Sequence, residues 1–407
     1  MLAKATHATP AVAINVAIRA GSACDPPGAE GTAWLLSRVL DRGTPTRSAS
    51  DLADEFDSRG ITLSMFVTRH LLTLACTCLA EDFGSVLALI GDVVMNPSLP
   101  DTEIAIRKGE VVTAIRQDAD NPAVVASESL MARLYPDGHP YGRRTKGTIA
   151  IVDRLTRADL VRQHAARVAP PTLCVAIVGD VEPSRASAVA AGVFGNWRPA
   201  AAASPLVLPP VARASARTRT VVPMMNKSQA DIAYGFTAIT RQDPDYDAMW
   251  LMNVAFGQYA IGGRLGDSIR ERQGMAYYVS SSFDPNVVEG PLVIRAGVSA
   301  VNVDRAIQSI DDEIIRLVRE GLTAKELDES RRYLIGAMPR ALETNAAIAG
   351  FLQNAEFFGL GLDYDLQIPD RLRAVTLDAA SAAARRVLDV NRATIVVAGP
   401  YRDAREL

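Results

Sequence analysis

Ala33-Trp34-Leu35-Leu36, a few residues behind Asp25-Pro26, has a counterpart in the second half of the chain: Met249-Trp250-Leu251-Met252 behind Asp243-Pro244. Each stretch follows an alternating strand pattern, Ala11 to Ala20 in the first case and Ala230 to Thr237 in the second. The halves also end alike. Leu155-Thr156 opens a helix and Leu173 to Val178 forms a strand closing at Gly179-Asp180, while Val375-Thr376 and Ala393 to Val397 close at Gly399-Pro400. The same elements in the same order indicate one unit present twice.

Each copy mixes strands with amphipathic helices. Val86 to Met95 and Ala306 to Val318 carry apolar residues at helical spacing, and they follow the strands Leu71 to Leu79 and Leu292 to Ala296. Several adjacent strands before each helix argue for an α+β arrangement, a mostly antiparallel sheet with helices packed on one face, and against a doubly wound parallel sheet. Asn196 to Thr218 is rich in Pro and Ala without a sustained period. The expected organisation is an N-terminal domain 1–197, a linker 198–218 and a C-terminal domain 219–407.

Composition excludes several functional classes. The chain has 407 residues, 48% hydrophobic and 22% charged, which suits two ordinary globular cores. A net charge of -3 gives no polyelectrolyte signature, so neither nucleic acid nor an anionic membrane is an expected partner. Four Cys make no disulfide framework, and Cys76 and Cys78 share one face of an apolar strand, as core cysteines would. No apolar run reaches membrane-spanning length, and no leader pattern opens the chain. Met1 to His7 reads as the end of one strand, so the natural chain is expected to start earlier. A bacterial-type soluble protein, cytoplasmic or periplasmic, is the expectation.

An ordered series of short motifs runs along the chain. Arg19-Ala20-Gly21-Ser22, Gly31-Thr32-Ala33, Asp41-Arg42-Gly43-Thr44, Met95-Asn96-Pro97, Tyr135-Pro136, His139-Pro140-Tyr141-Gly142-Arg143 and Gly179-Asp180 occupy the first half. Arg264-Leu265, Arg270-Glu271-Arg272-Gln273-Gly274 and Ala276-Tyr277 occupy the second. In this order and spacing they resemble the M16 peptidase family, the pitrilysin, insulin-degrading and mitochondrial-processing group, over essentially the whole chain. The resemblance implies two homologous domains of the LuxS/MPP-like metallohydrolase fold.

Similar proteins bind zinc through an inverted HxxEH motif on the first-domain helix, with a further Glu from a later helix. Carried over by position, the first His falls on Trp34, the catalytic Glu on Ser37, the second His on Arg38, the distal Glu on Ala114 and its supporting acid on Arg107. Zinc hydrolysis needs an ion to acidify water and a carboxylate to take the proton. Ser37 is no such base, and a guanidinium has no lone pair to give a metal. No metal is expected in this chain. Trp34 reads instead as a packing anchor, as Trp250 does at the matching place.

The resemblance keeps a pair in the second half, Arg270 and Tyr277, which match an Arg and a Tyr that face the zinc-bound peptide in active relatives. Gly263 to Gln273 reads as a helix stopped by Gly274, and Met275 to Phe283 as the following strand, so both side chains can reach one edge. Arg offers a fixed fork of donors and Tyr a hydroxyl, suited to a peptide carbonyl and its oxyanion. Pattern alone also fits a solvated helix Arg beside Glu271 and Arg272, and a sheet aromatic at Tyr277. Tyr278 is expected on the opposite face.

Two-domain relatives pair as subunits, which implies an HxxEH-bearing partner that carries the zinc while this chain contributes Arg270 and Tyr277 in trans and helps to hold peptide. A purely structural role like that of respiratory-complex core proteins is the alternative, an independent hydrolase with an unusual metal site a lesser one, and a homodimer is expected when the partner is absent. Other candidates are weaker. Gly257, Gly262 and Gly263 before Arg264 match no phosphate-loop fingerprint and read as a turn. His139 and His164 read as surface or loop histidines, and Ser37 has no neighbouring His to activate it.

Overall fold

The computed structural model describes residues 1–198, 206–259 and 262–402. Ala200 to Pro205 of the expected linker lie outside the described residues, and 206–217 form neither helix nor strand.

Two five-stranded sheets share one strand order. In the first, β1 (Leu2–Ala5), β2 (Ala11–Ile18), β3 (Ser64–Val67), β4 (Leu72–Leu79) and β5 (Leu173–Gly179) are arranged β1-β5-β2-β4-β3. In the second, β6 (Thr218–Pro223), β7 (Ala230–Thr237), β8 (Ala276–Phe283), β9 (Pro291–Val298) and β10 (Thr394–Gly399) are arranged β6-β10-β7-β9-β8. The pairs β1 with β5 and β6 with β10 are parallel, and the others antiparallel. The protein is therefore α+β with two mixed, mostly antiparallel sheets, and the sequence repeat is a strand-for-strand repeat of topology.

Alternation in β2 sorts its residues by size. Val12, Ile14, Val16 and Ile18 enter a core with Leu35, Leu36 and Val39 of the Thr32–Val39 helix and Val86, Leu87, Ile90, Val93 and Val94 of the Phe83–Met95 helix. Burying each of these fully is worth about 1.5–3 kcal/mol. The other face of β2 and β5 presents Ala13 and Ala176, and against them lies Ala349 of the Asn345–Phe358 helix. Small residues on both sides let helix and sheet approach closely. Gln353 of this helix donates to Thr73 Oγ1 at 3.2 Å, and Asn345 to the Ala11 carbonyl at 3.0 Å.

That helix comes from the second half of the sequence. In return, the Pro122–Leu134 helix of the first half packs on β7 and β10, setting Ala126, Leu130 and Leu134 against Ala233, Val396 and Ala398. Gly235 makes room, since a Cβ there would meet a Leu130 methyl at 2.8 Å. The compact units are therefore 1–116 with 143–207 and 339–362, and 117–142 with 208–338 and 363–407. Each packed unit includes one helix of the other half of the sequence. The helices expected on one face of each sheet are present, and this exchanged helix covers the second face.

Cys76 and Cys78 are both buried, and burial pushes their thiols up to about 12 and about 11, so neither is a nucleophile at neutral pH. Of the histidines expected on the surface or in loops, His139 does lie in a loop, but neither ring is on the surface. His139 is buried, accepting the Tyr141 amide at Nδ1 (3.1 Å), with Nε2 3.2 Å from the Pro209 carbonyl, and it stacks on Tyr135. His164 is half-buried with Nε2 2.8 Å from the Val94 carbonyl, and burial lowers its pKa. A backbone carbonyl from a distant segment, of Pro209 in one case and Val94 in the other, meets each ring.

Candidate functional site

In the first unit the Thr32–Val39 helix begins behind Gly31, whose φ of +94° suits only glycine, because the Lys146 carbonyl would lie 2.5 Å from a Cβ there. Asp25 caps this start from inside. Its two carboxylate oxygens accept the Gly31 and Ala33 amides, each at 2.8 Å, and the side chain is almost wholly enclosed. Burial pushes its carboxyl up to about 7, against the two amides, which favour the charged form. Arg143 donates to the Asp25 backbone carbonyl at 3.0 Å. The proximity of Asp25-Pro26 to the helix was visible in the sequence, but the capping role was not, because the amides that donate to Asp25 are spaced six and eight residues away.

The same helix carries the positions that the resemblance sets against a zinc motif, with Arg38 exposed, Trp34 half-buried and Ser37 buried. Trp34 is half-buried against the core, and the Arg38 guanidinium carbon and the Lys146 ammonium lie 5.0 and 5.5 Å from its ring centroid. Ser37 turns inward, its hydroxyl donating to the Trp34 carbonyl at 2.7 Å. Ala114 sits half-buried on the Asp101–Ala119 helix. On that helix Arg107 forms ion pairs with Glu103 and Glu110. This donor set does not fit zinc. One indole, one methyl, a hydroxyl engaged by backbone and a guanidinium stand where lone pairs and a base are required. Among the described residues no three His, Cys, Asp or Glu side chains gather into a metal-ligating group.

The second unit holds the Arg/Tyr pair at one sheet edge. Residues 264–272 are helical, and Gly266–Arg272 form a widened turn. Its inward Leu265 and Ile269 are fully buried, and the helix packs along β8, an edge strand. Gly274, at φ +61°, ends it as expected, with its amide bonded to the Arg270 carbonyl at 3.0 Å. Arg264 anchors its start: the guanidinium donates to both Glu326 oxygens, at 2.6 and 2.8 Å, and to the Gly321 carbonyl at 2.8 Å. Arg270 is exposed and forms an ion pair with Glu271 at 3.7 Å.

Tyr277 is 68% exposed. The β8–β9 register slips here, because Ala276 faces Val298 while Tyr278 faces Gly297. Tyr277 is the extra residue of a β-bulge, a device that re-aims a side chain at a sheet edge. Strict alternation fails at this point, so the expectation that Tyr278 takes the face opposite Tyr277 does not follow from the pleat. Tyr278 lies over Gly297 and donates to Asp231 at 2.5 Å, and burial together with that carboxylate raises its pKa. Tyr277 thus lies on the edge strand β8 and Arg270 on the helix that packs along it, both exposed and making no hydrogen bond to each other.

Comparison with known proteins decides the family. A model described as insulinase (peptidase family M16) matches residues 1–148, and one described as peptidase M16 inactive domain matches 154–334. The chain belongs to the M16 peptidase family. A relative named an uncharacterized zinc protease, from Mycobacterium bovis, is 26% identical over 99% of this chain and 92% of its own length. One from Helicobacter pylori named a non-peptidase homolog is 20% identical over 96% and 89%. The solved structure of a peptidase M16 inactive domain from Pseudomonas fluorescens superposes with a TM-score of 0.91 at 28% identity, covering 98% of this chain and 94% of that one. No helix among the described residues is long and apolar enough to cross a membrane.

Proposed function

We propose that this chain is the non-catalytic subunit of a heterodimeric zinc metallopeptidase, holding peptide and supplying Arg270 and Tyr277 to the zinc site of an HxxEH-bearing M16 partner. One observation supports the reading: the Thr32–Val39 helix is packed and capped with Trp34 and Arg38 where the resemblance sets two ligands and Ser37 where it sets the base, while Arg270 and Tyr277 are exposed on the helix and strand at the β8 side of the second sheet. The partner supplies metal-bound water and its base. This chain supplies donors: the guanidinium orients the scissile carbonyl, and the phenol hydroxyl donates to the oxygen as it gains charge. Neither residue moves the proton of water.

A scaffold role without peptide chemistry is the second reading, favoured by the Helicobacter relative's description as a non-peptidase homolog. The test is reconstitution. Alone, the purified chain retains no stoichiometric zinc and cleaves no peptide; mixed with the HxxEH homologue of the same genome, it forms a complex that cleaves faster than that homologue alone. Stoichiometric zinc in the isolated chain, or no gain on mixing, overturns the proposal.

A further inference from the structure

Two pairs bracket the bulge of β8: Ala276 with Val298 before it, and Val279 with Ala296 after it. Between them β9 offers one residue, Gly297, and β8 offers two, Tyr277 and Tyr278. Only one of the tyrosines can pair with Gly297, and the other is the extra residue of the bulge. Moving the bulge by one position would exchange the two and leave every other pair of β8 and β9 as it is. Both carry the same ring and hydroxyl, so residue type does not choose between the arrangements.

Gly297 pairs on its other side with Asp231 of β7. The β8 tyrosine, Gly297 and Asp231 therefore form one row across three strands, facing the same side of the sheet. The Pro122–Leu134 helix covers that side at Ala233, two residues along β7 from Asp231, and at Ala398, which pairs with Asp231 from β10. Asp231 is buried, and its carboxylate accepts from the Tyr278 hydroxyl and, at 3.5 and 3.4 Å, from the Gln229 amide. Without the hydroxyl only those long contacts would remain, and an ill-satisfied buried acceptor is costly. Gly297 lets a ring from β8 cross β9, because a Cβ there would lie 2.4 Å from the Tyr278 ring. The row is a slot for one aromatic ring with an acceptor at its far end. Whichever tyrosine fills it leaves the other as the extra residue.

We propose that Tyr278, seated over Gly297 and bonded to Asp231, is a positioning residue that holds the bulge on Tyr277 and so keeps the Tyr277 phenol presented at the edge strand. The inference rests on the reading of Tyr277 as a donor to peptide and deepens it by naming what sets that residue's place. Tyr278 and Asp231 act through Tyr277, not on the peptide.

The test reads the place of Tyr277 in the full chain without partner, separately from turnover. The probe is N-acetylimidazole, which acetylates accessible phenols, and tandem mass spectrometry gives the rate at each tyrosine. In the parent, Tyr277 is acetylated and Tyr278 reacts at least about tenfold more slowly, the size of one charge-assisted hydrogen bond. Tyr278→Ala empties the slot. Filling it with Tyr277 recovers a covered ring and that hydrogen bond, which together favour the moved bulge by about 10²-fold or more. Tyr277 in this variant is therefore acetylated at least about tenfold more slowly than in the parent. Adding Gly297→Ala closes the slot to a ring from β8, and Tyr277 returns to its parental rate; loss of order at this edge would instead raise the rate in both variants. Tyr277 reacting at the parental rate or faster in Tyr278→Ala, Tyr278 reacting as fast as Tyr277 in the parent, or a double variant as slow as Tyr278→Ala overturns the inference. If the pattern holds while Tyr277→Phe leaves the reconstituted complex fully active, the bulge lock stands and the donor role of Tyr277 fails.

Discussion

Replacing Trp34 by Ala separates a packing anchor from a substrate contact at the degenerate zinc position. The indole is half-buried against the core formed by β2 and its covering helices, with two cations close to its ring. Truncating a fully buried Trp costs about 3–5 kcal/mol. Trp34 keeps part of its surface in water, which lowers that figure. Losing two partly exposed cation–ring contacts, about 0.5–1 kcal/mol each, raises it again. A net loss near 3 kcal/mol follows, all of it in the first unit. Urea unfolding followed by far-ultraviolet circular dichroism measures it, with Trp250→Ala as the matched change in the second unit. The folded variant should still support the partner's turnover. A midpoint shift worth less than about 0.5 kcal/mol, together with a tenfold rise in KM of the complex, would refute the anchor assignment.

The capping carboxylate predicts an unusual pH dependence. With its folded pKa raised to about 7, above the ordinary value, Asp25 in the native chain holds a proton between pH 4 and 7 that the unfolded chain has released, so its contribution to stability is fully present at low pH and declines as pH rises through 7. The full loss is about 4 kcal/mol, and melts across that range should show a slope in the parent that Asp25→Asn removes. Arg264→Ala leaves Glu326 half-buried without its partner and should destabilise the second unit by about 3–5 kcal/mol. A double-mutant cycle with Glu326→Gln should recover a coupling above about 1 kcal/mol; an additive cycle would mean that the pair does not anchor the helix.

Local signals made much of this architecture legible. Alternation in Ala11 to Ala20 and Ala230 to Thr237, the turn at Gly274 and the matched Trp34 and Trp250 all report short-range physics, and the sheets repeat as the sequence does. The helix exchange did not show, because amphipathic spacing in Pro122–Leu134 or Asn345–Phe358 reveals a buried face without saying which sheet buries it. The bulge at Tyr277 was equally silent, since its extra residue is defined by register against β9 rather than by composition. Burial of His139 depends on Tyr135 and on Pro209, which is distant in sequence. At the candidate site the residue types carried the argument. Arg38 and Ser37 cannot themselves serve as zinc ligand and base whatever their surroundings, whereas the exposure of Arg270 and Tyr277 required coordinates.

The most direct test is turnover of the reconstituted heterodimer with Tyr277→Phe or Arg270→Ala in this chain, alongside size-exclusion chromatography of the complex. Loss of one oxyanion donor should lower kcat about 10²-fold with assembly and partner zinc unchanged. Full activity in both variants would contradict the account and leave the chain a scaffold.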